Sequence, residues 1–583
     1  MAWFFEYIKS LSGRFVPFLD WIGELKEGKA LKADVVAGIT VALVLVPQSM
    51  AYAQLAGLPA YYGLYASFLP PIIASFFGSS RQLATGPVAM VSLMTATALE
   101  PLAAAGSEGF LAYALLLAFM VGIFQISLGL LRLGVLVDLL SHPVVVGFTN
   151  AGAIIIATSQ LNKVFGVEKI AGEHHYETVV NIIQSAIDHT HMPTFWIAVL
   201  AIAIMIGLKK FAPRAPSVLI AVVVTTVLAW YTDFQAMGGG VVGDIPKGLP
   251  GFSLPVFDLE IASQLLVNAV IISLVGFMEA IAIAKAMATK TKQRLDANQE
   301  LVGQGLSNIT SSFFSGYPVS GSFSRSAVNI NAGAVTGFSS VVTGIVVGIT
   351  LLFLTPLLYH LPQATLASVI ILAVINLVKI HPIVHAWRAE KHDGIVAVIT
   401  FLLTLYIAPH IEYGILVGVV LSILLFVIRF MRPRVAELSR YEDGTMRDIK
   451  VFPQLKTSDQ IALIRFDGSL FFANAGYFED KILEVMASRP TVKYIIVDAE
   501  GINQIDSTGE EVLRQVSERL EENGIILVVA RMKRQFMKAV RATGLLERMG
   551  QGHFFSRIQH AIDYCWDSLG DEYDRTQCPL RRR

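Results

Sequence analysis

Charged residues are scarce: Asp, Glu, Lys and Arg make up 15% of the 583 residues, where a soluble globular protein carries about 25%. The shortage is local. The 149 residues from Val435 onward hold 21 Lys/Arg and 23 Asp/Glu, while the 434 before them hold the other 46 of 90. This split excludes a single soluble domain and predicts a long membrane-embedded part followed by an ordinary soluble one. A basic excess is lacking too: Lys+Arg and Asp+Glu both number 45, so nothing suggests nucleic acid as a partner. Two cysteines, Cys565 and Cys578, exclude a disulfide framework. No Walker motif, complete dinucleotide fingerprint, nucleophile–base pattern or metal-ligand cluster stands out, so no enzyme, cofactor or metal is expected. Nor is a cleavable signal peptide, because residues 1–34 lack a long apolar core. The aromatics Trp3, Phe4, Phe5, Phe15, Phe18 and Trp21 fit either an interfacial helix or packing against the membrane part.

What the chain has in quantity is apolar runs. A helix crossing the hydrocarbon core needs about 20 mostly apolar residues. Residues 34–56, 61–77, 84–102, 110–131, 135–161, 193–210 and 216–231 read as seven spans. Residues 263–288, 296–315, 322–336, 338–357, 363–379, 394–409 and 411–430 read as seven more. The expected organisation is an N-terminal cytoplasmic segment at 1–33, a transport domain at 34–434 and a soluble domain with its tail at 435–583. With the N-terminus inside, the inner loops carry Arg81, Arg132, Lys209, Lys210, Arg214 and the basic clusters within 290–294, 379–391 and 429–434. The outer loops hold only Lys163, Lys169 and Lys247. This bias puts both termini in the cytoplasm, and a bacterial inner membrane is the expected location.

The halves repeat one event. Span 2 ends Ser75-Phe76-Phe77-Gly78, before Thr85-Gly86-Pro87-Val88-Ala89; span 9 ends Ser312-Phe313-Phe314-Ser315-Gly316, before Tyr317-Pro318-Val319-Ser320-Gly321-Ser322-Phe323-Ser324-Arg325. Seven is odd, so the second half runs through the membrane in the opposite sense, as in inverted-repeat transporters. Pro87 cannot continue a helix from its N-terminal side but suits the first turn of a new one. Span 3 is therefore predicted as an extended piece and a half-helix from about Pro87. Span 10 is predicted as extended 317–321 and a half-helix from Ser322 or Ser324. Irregular backbone at membrane depth is tolerated where it lines a cavity. Two facing half-helix N-termini would form an anion site without a metal. Arg325 would add a full positive charge, unless it serves as a structural pair to a carbonyl or carboxylate. In span 1, Pro47 is expected to break the helix midway and leave Gln48, Ser49 and Tyr52 facing a wet cavity, or a packed kink.

These residues carry a resemblance. Asp34-Val35-Val36-Ala37-Gly38, Pro47-Gln48-Ser49-Met50-Ala51-Tyr52-Ala53, Gly63-Leu64-Tyr65, Gly86-Pro87-Val88-Ala89, Asn298-Gln299-Glu300-Leu301 and Gly321-Ser322-Phe323-Ser324-Arg325 resemble the SulP (sulfate permease) anion transporters. The resemblance implies a core of spans 1–4 and 8–11 moving against a gate of spans 5–7 and 12–14. It also implies a small inorganic anion held between half-helices 3 and 10, usually in a homodimer. Gln48 and Tyr52 match family positions lining that anion. Many relatives have Phe where this chain has Tyr52, so the extra hydroxyl bears on selectivity. Gly86, Pro87 and Val88 match the start of the family's third span, and Ser322, Phe323, Ser324 and Arg325 the start of its tenth.

One carboxylate stands alone. Glu279 lies within Leu274-Val275-Gly276-Phe277-Met278-Glu279-Ala280-Ile281-Ala282, and a charged carboxylate at the bilayer centre costs roughly 2.5–3.5 kcal/mol. It is the candidate coupling group, carrying a proton or taking part in sodium coupling as the resemblance implies, unless a salt bridge to Lys285 or Arg325 accounts for it. His142 is expected to be a helix-end residue. Asp296 and Glu300 are expected to favour the N-terminus of span 9.

Beyond Arg434, residues 460–466, 494–497 and 524–530 read as strands, and 475–488, 507–522 and 534–545 as helices. That alternation predicts a small α/β domain with a mostly parallel sheet, and it resembles a STAS module. Ser507 with Glu510 forms an expected capping box. Ser507 also matches a phosphorylated Ser of bacterial antagonist proteins, so it is the regulatory candidate, alongside a surface for a cytoplasmic protein partner or a dimer contact. The predicted function is import of sulfate by proton symport through elevator-like alternating access. Sodium-coupled bicarbonate uptake, dicarboxylate uptake, a passive channel or exchanger, and a non-transporting sensor are the alternatives. Beyond anion and coupling ion, membrane lipid is the expected partner.

Overall fold

The computed structural model describes residues 17–135, 140–212, 215–570 and 573–581. The expected N-terminal aromatics Trp3, Phe4, Phe5 and Phe15, and the inner-loop Arg214, lie outside these residues. Two compact units divide between Ser422 and Ile423.

In the first unit the helices are α1 (Gly28–Leu55), α2 (Tyr61–Phe77), α3 (Ala89–Leu99), α4 (Glu108–Leu130), α5 (His142–Ser159), α6 (Leu161–Phe165), α7 (His175–His189), α8 (Met192–Phe211) and α9 (Ser217–Tyr231). Then come α10 (Leu259–Thr291), α11 (Ala297–Phe313), α12 (Phe323–Asn331), α13 (Phe338–Ile349), α14 (Gln363–Ile375), α15 (Ile380–Ala389), α16 (Lys391–Ile407) and α17 (Ile411–Met431), within which the division falls. Each of the fourteen apolar segments contains a helix. Among the described residues eight are long and apolar enough to cross a membrane; the helices in the other six segments have 17 residues or fewer. Two of those, α3 and α12, are short because extended strands precede them: β1 (Ala84–Gly86) and β2 (Ser320–Ser322).

Those strands pair with each other. β1 and β2 run antiparallel with Ala84 opposite Ser322, Thr85 opposite Gly321 and Gly86 opposite Ser320. The pairing keeps the backbone extended through Val88, whose φ and ψ are −136° and 149°. The helix therefore starts at Ala89, and Pro87 precedes it rather than opening it. In the other repeat the helix starts at Phe323, with the Ser322 side chain accepting from the Arg325 N–H at 3.5 Å.

The expected break at Pro47 does not occur. α1 runs continuously from Gly28 to Leu55 with Pro47 inside it. Proline is tolerated there because neighbours pack the turn on every side: residues 47–53 are all buried. Gly63 of α2 sits so close that a built Cβ would lie 1.9 Å from the Ser49 carbonyl oxygen. The helix also starts six residues before Asp34, which is fully buried. The Asp34 carboxylate accepts from Val335 N at 2.7 Å and from the Thr336 hydroxyl at 2.6 Å, joining α1 to the turn after α12. Two amphipathic helices, α7 and α15, occupy stretches read as loops, because their polar faces broke the apolar runs. Of the N-terminal aromatics, Trp21 packs against Phe76 with ring centroids 6.4 Å apart.

In the second unit a six-stranded sheet has the order β4 (Met446–Asp448), β3 (Val435–Arg440), β5 (Ile461–Phe466), β6 (Tyr494–Asp498), β7 (Ile526–Ala530), β8 (Phe554–Phe555). β5 to β8 are parallel and β3 is antiparallel to both neighbours. One face is covered by α18 (Ala475–Ser488), α19 (Ser507–Glu522), α20 (Arg534–Ala542) and α21 (Leu545–Met549), through Phe478, Leu513, Val516 and Phe536. The other is covered by α22 (Ile558–Leu569), through Ile562, Cys565 and Trp566. Three expected strands and three expected helices are present; β3, β4, β8, α21 and α22 were not foreseen. The expected Ser507 cap is displaced by one residue. Asp506 is the N-cap and accepts from Gly509 N at 2.8 Å, which leaves Ser507 exposed in the first helical position.

Candidate functional site

The β1–β2 crossing feeds directly into two helix N-termini. Val88 caps α3 and Ser322 caps α12, so the unpaired N–H groups of both first turns open beside the same two-stranded ribbon. Gly86 is required by its backbone: φ is +149°, and a built Cβ would lie 3.4 Å from a terminal guanidinium nitrogen of Arg325.

Arg325 is the main feature of this place. It is 0% exposed, and Nε and both terminal nitrogens have no hydrogen-bond partner among the described residues. An isolated buried charge is expensive, so the guanidinium is held where an anion would satisfy it. The alternative pairing with a carbonyl or carboxylate is not found among the described residues. Its electrostatic neighbours are the phenols of Tyr52 and Tyr317.

The crossing gathers most of the predicted residues. Gln48, Tyr52, Gly86, Pro87, Val88 and Ser322 are buried with Arg325. Gln48 lies one turn before Tyr52 on the same face of α1, and its Oε1 has no hydrogen-bond partner among the described residues. Phe323 and Ser324 instead are exposed, Phe323 at 59%. Glu279 lies on α10 beside β2: Gly276, one turn earlier, accepts from the Ser320 hydroxyl at 2.6 Å, and a Cβ on Gly321 would meet Ala280 at 3.1 Å. No hydrogen bond or ion pair to Glu279 exists among the described residues, and Lys285 is exposed. The alternative salt bridge to Lys285 or Arg325 is thus not formed among the described residues.

One residue of the crossing was missed. Tyr317 is fully buried, and its hydroxyl lies 3.3 Å from the Ser92 hydroxyl in the first turn of α3. A tyrosine directly before the span-breaking Pro318 was the available signal. Glu300 lies in the first turn of α11 as expected and has a further job. It is 1% exposed, and its carboxylate accepts from Ser79 N at 2.8 Å and Ser80 N at 2.9 Å, binding α11 to the turn before β1. A cavity of about 850 Å³ near that turn is lined by Asp20, Arg81, Lys292 and Arg294 among others, and by none of the half-helix residues.

The Sulfate permease family profile matches residues 31–400, and the STAS domain profile matches residues 452–561. Sulfate transporter 4.1, chloroplastic, of Arabidopsis thaliana is 38% identical over 568 residues, which is 94% of this chain and 82% of the relative. A probable sulfate transporter of Mycobacterium tuberculosis is 34% identical over 536 residues, 91% of this chain and 95% of the relative. The solved structure of murine Solute Carrier 26 family member A9, an anion transporter, superposes with a TM-score of 0.87 at 25% identity, covering 95% of this chain and 94% of that one. The chain belongs to the sulfate permease family of anion transporters, as a multi-pass membrane protein whose helical transport part is followed by a STAS domain.

Proposed function

We propose that the protein imports sulfate by proton symport, with the anion bound between the α3 and α12 N-termini. The observation that carries this reading is the Arg325 guanidinium, buried at the crossing without a hydrogen-bond partner among the described residues. Each helix N-terminus contributes about +0.5 charge; with Arg325 the sum is about +2, matching a dianion. Gln48 and Tyr52 complete the lining from α1, and Phe323 and Ser324 form its exposed rim. The names of the plant and mycobacterial relatives support sulfate as the cargo.

Glu279 is the coupling group in this reading. It lies on the helix that packs against β2, so its protonation state and the geometry of the anion site share one piece of backbone. The core, comprising spans 1–4 and 8–11, moves against the gate as an elevator, in a homodimer, with both termini in the cytoplasm of a bacterial inner membrane. Membrane lipid surrounds the transport part. The exposed Ser507 stands at the start of α19 as a point for modification or for a cytoplasmic partner of the STAS domain.

The test is uptake of radiolabelled sulfate into sodium-free proteoliposomes, with and without an inward proton gradient, alongside Glu279→Gln. Concentrative uptake that needs the gradient is expected, with the variant still binding sulfate but losing gradient-driven uptake. Full gradient-driven uptake by Glu279→Gln sinks the coupling role. Uptake of bicarbonate, and only with sodium, replaces both cargo and coupling ion.

A further inference from the structure

We propose that Asn308, with Gln304 one turn before it, is a positioning residue of the anion site, holding the two strands whose ends aim the half-helices. The inference rests on the reading of the crossing as the anion site.

The β1–β2 ladder is only three residue pairs long and stops at Gly86 and Ser320. Beyond it Pro87 has no N–H with which to extend the pairing. The next residue on the other strand, Val319, is buried and must place both backbone polar groups. Asn308 takes both: Val319 N donates to Oδ1 at 2.8 Å, and Nδ2 donates to the Val319 carbonyl at 3.1 Å. A side-chain amide thus substitutes for a strand.

The same row of α11 holds the other strand. Glu300, Gln304 and Asn308 follow at intervals of four, so they share one helix face, and all three are 1% exposed or less. Gln304 Nε2 donates to the Thr85 hydroxyl at 2.9 Å and to Glu300 Oε1 at 3.1 Å. Asn308 Nδ2 also reaches Gln125 Oε1 on α4 at 3.0 Å, and Gln125 Nε2 donates to the Ser273 carbonyl of α10 at 3.3 Å. One polar face therefore ties β1, the entry to β2, and two flanking helices together. None of these side chains has to touch the anion. They fix the separation and angle of the two N-termini, and a displacement of about 1 Å in such a constellation costs on the order of a hundredfold.

The experiment compares the full-length protein with Asn308→Ala and Ser312→Ala. Ser312 lies on the same helix, and its hydroxyl donates to the Leu115 carbonyl at 2.7 Å without touching either strand. Sulfate and nitrate dissociation constants are read by calorimetry on purified protein, with KM and Vmax from liposome uptake. Asn308→Ala is expected to weaken sulfate by about tenfold or more, since a misaimed pair of N-termini loses most for a charge-matched tetrahedral dianion. It is also expected to lower the preference for sulfate over nitrate, and to raise KM more than it lowers Vmax. Ser312→Ala is expected to keep the sulfate affinity and the preference. Should Asn308→Ala fail to fold, Gln304→Ala gives the same readout through Thr85. A folded Asn308→Ala with unchanged affinity and preference overturns the proposal, as does equal weakening in Ser312→Ala. Absence of sulfate binding in the unsubstituted protein overturns the site reading, and this inference with it.

Discussion

Replacing Arg325 with methionine removes the guanidinium while keeping much of the side chain's bulk, and its two consequences have opposite signs. Arg325 is 0% exposed and its three nitrogens lack partners among the described residues. Replacing a buried ionic group by an apolar one of similar volume stabilises a fold by roughly 1–4 kcal/mol when the charge was poorly compensated. In the absence of sulfate, Arg325→Met should therefore unfold at a higher temperature than the unsubstituted protein. Anion binding should move the other way. Charge-assisted hydrogen bonds contribute about 1.5–3 kcal/mol each, so losing a bidentate pair removes roughly 3–6 kcal/mol, about 10²–10⁴ in Kd. Both quantities come from one assay: thermal unfolding of the purified protein with and without sulfate. At a hundred times Kd, ligand stabilises the unsubstituted protein by about 2.7 kcal/mol; at the same sulfate concentration the variant should show about 0.4 kcal/mol or less. A variant that is less stable without sulfate and keeps its sulfate-induced shift would refute the argument, because Arg325 would then be a structural ion-pair member.

Two further predictions concern the scaffold. Asp34→Ala leaves Val335 N, Thr336 N and the Thr336 hydroxyl without their acceptor; a loss of roughly 3 kcal/mol is expected, read as a lower unfolding midpoint in detergent, and an unchanged midpoint counts against the pin. In the STAS unit, burial pushes the Cys565 thiol well above its usual range. A group that holds its proton more tightly when folded gives full stability below its unfolded pKa of about 8.5, and loses that contribution as pH rises toward the folded value. Hydrogen exchange across residues 558–569 should accelerate from about pH 9 upward by more than intrinsic chemistry explains, at up to about 1.4 kcal/mol per pH unit. Cys565→Ala should flatten that slope; an unaltered slope rules the thiol out as its source.

Fourteen helix-bearing segments and the broken third and tenth spans were legible because apolar length and proline placement are local properties. Lipid offers no hydrogen bonds, so a spanning segment has few options and its sequence declares them. Three strands and three helices of the STAS unit were legible for a similar reason, through β-branched runs alternating with amphipathic ones. Pro47 was misjudged by the same local rule. Its cost is set by what surrounds it, and the close approach of Gly63 to the Ser49 carbonyl belongs to the packing of α1 on α2. Asp506 rather than Ser507 caps α19, and Asp506 N also donates to the Leu470 carbonyl at 3.1 Å, a contact from outside the helix that no local pattern announces.

The sequence by itself determined the membrane part, the repeated break and the presence of one arginine at a half-helix start. Composition and periodicity act over a few residues, and these features need nothing longer. The tertiary structure decided that β1 and β2 pair, that Tyr317 joins Tyr52 near Arg325, and that Asn308 completes a strand from a helix. Each of those contacts joins residues from different elements, and some are more than 200 positions apart. Only the closed fold brings such groups within hydrogen-bonding distance. The lack of a partner for Arg325 among the described residues is likewise a property of everything packed around it, which no local pattern in the chain encodes.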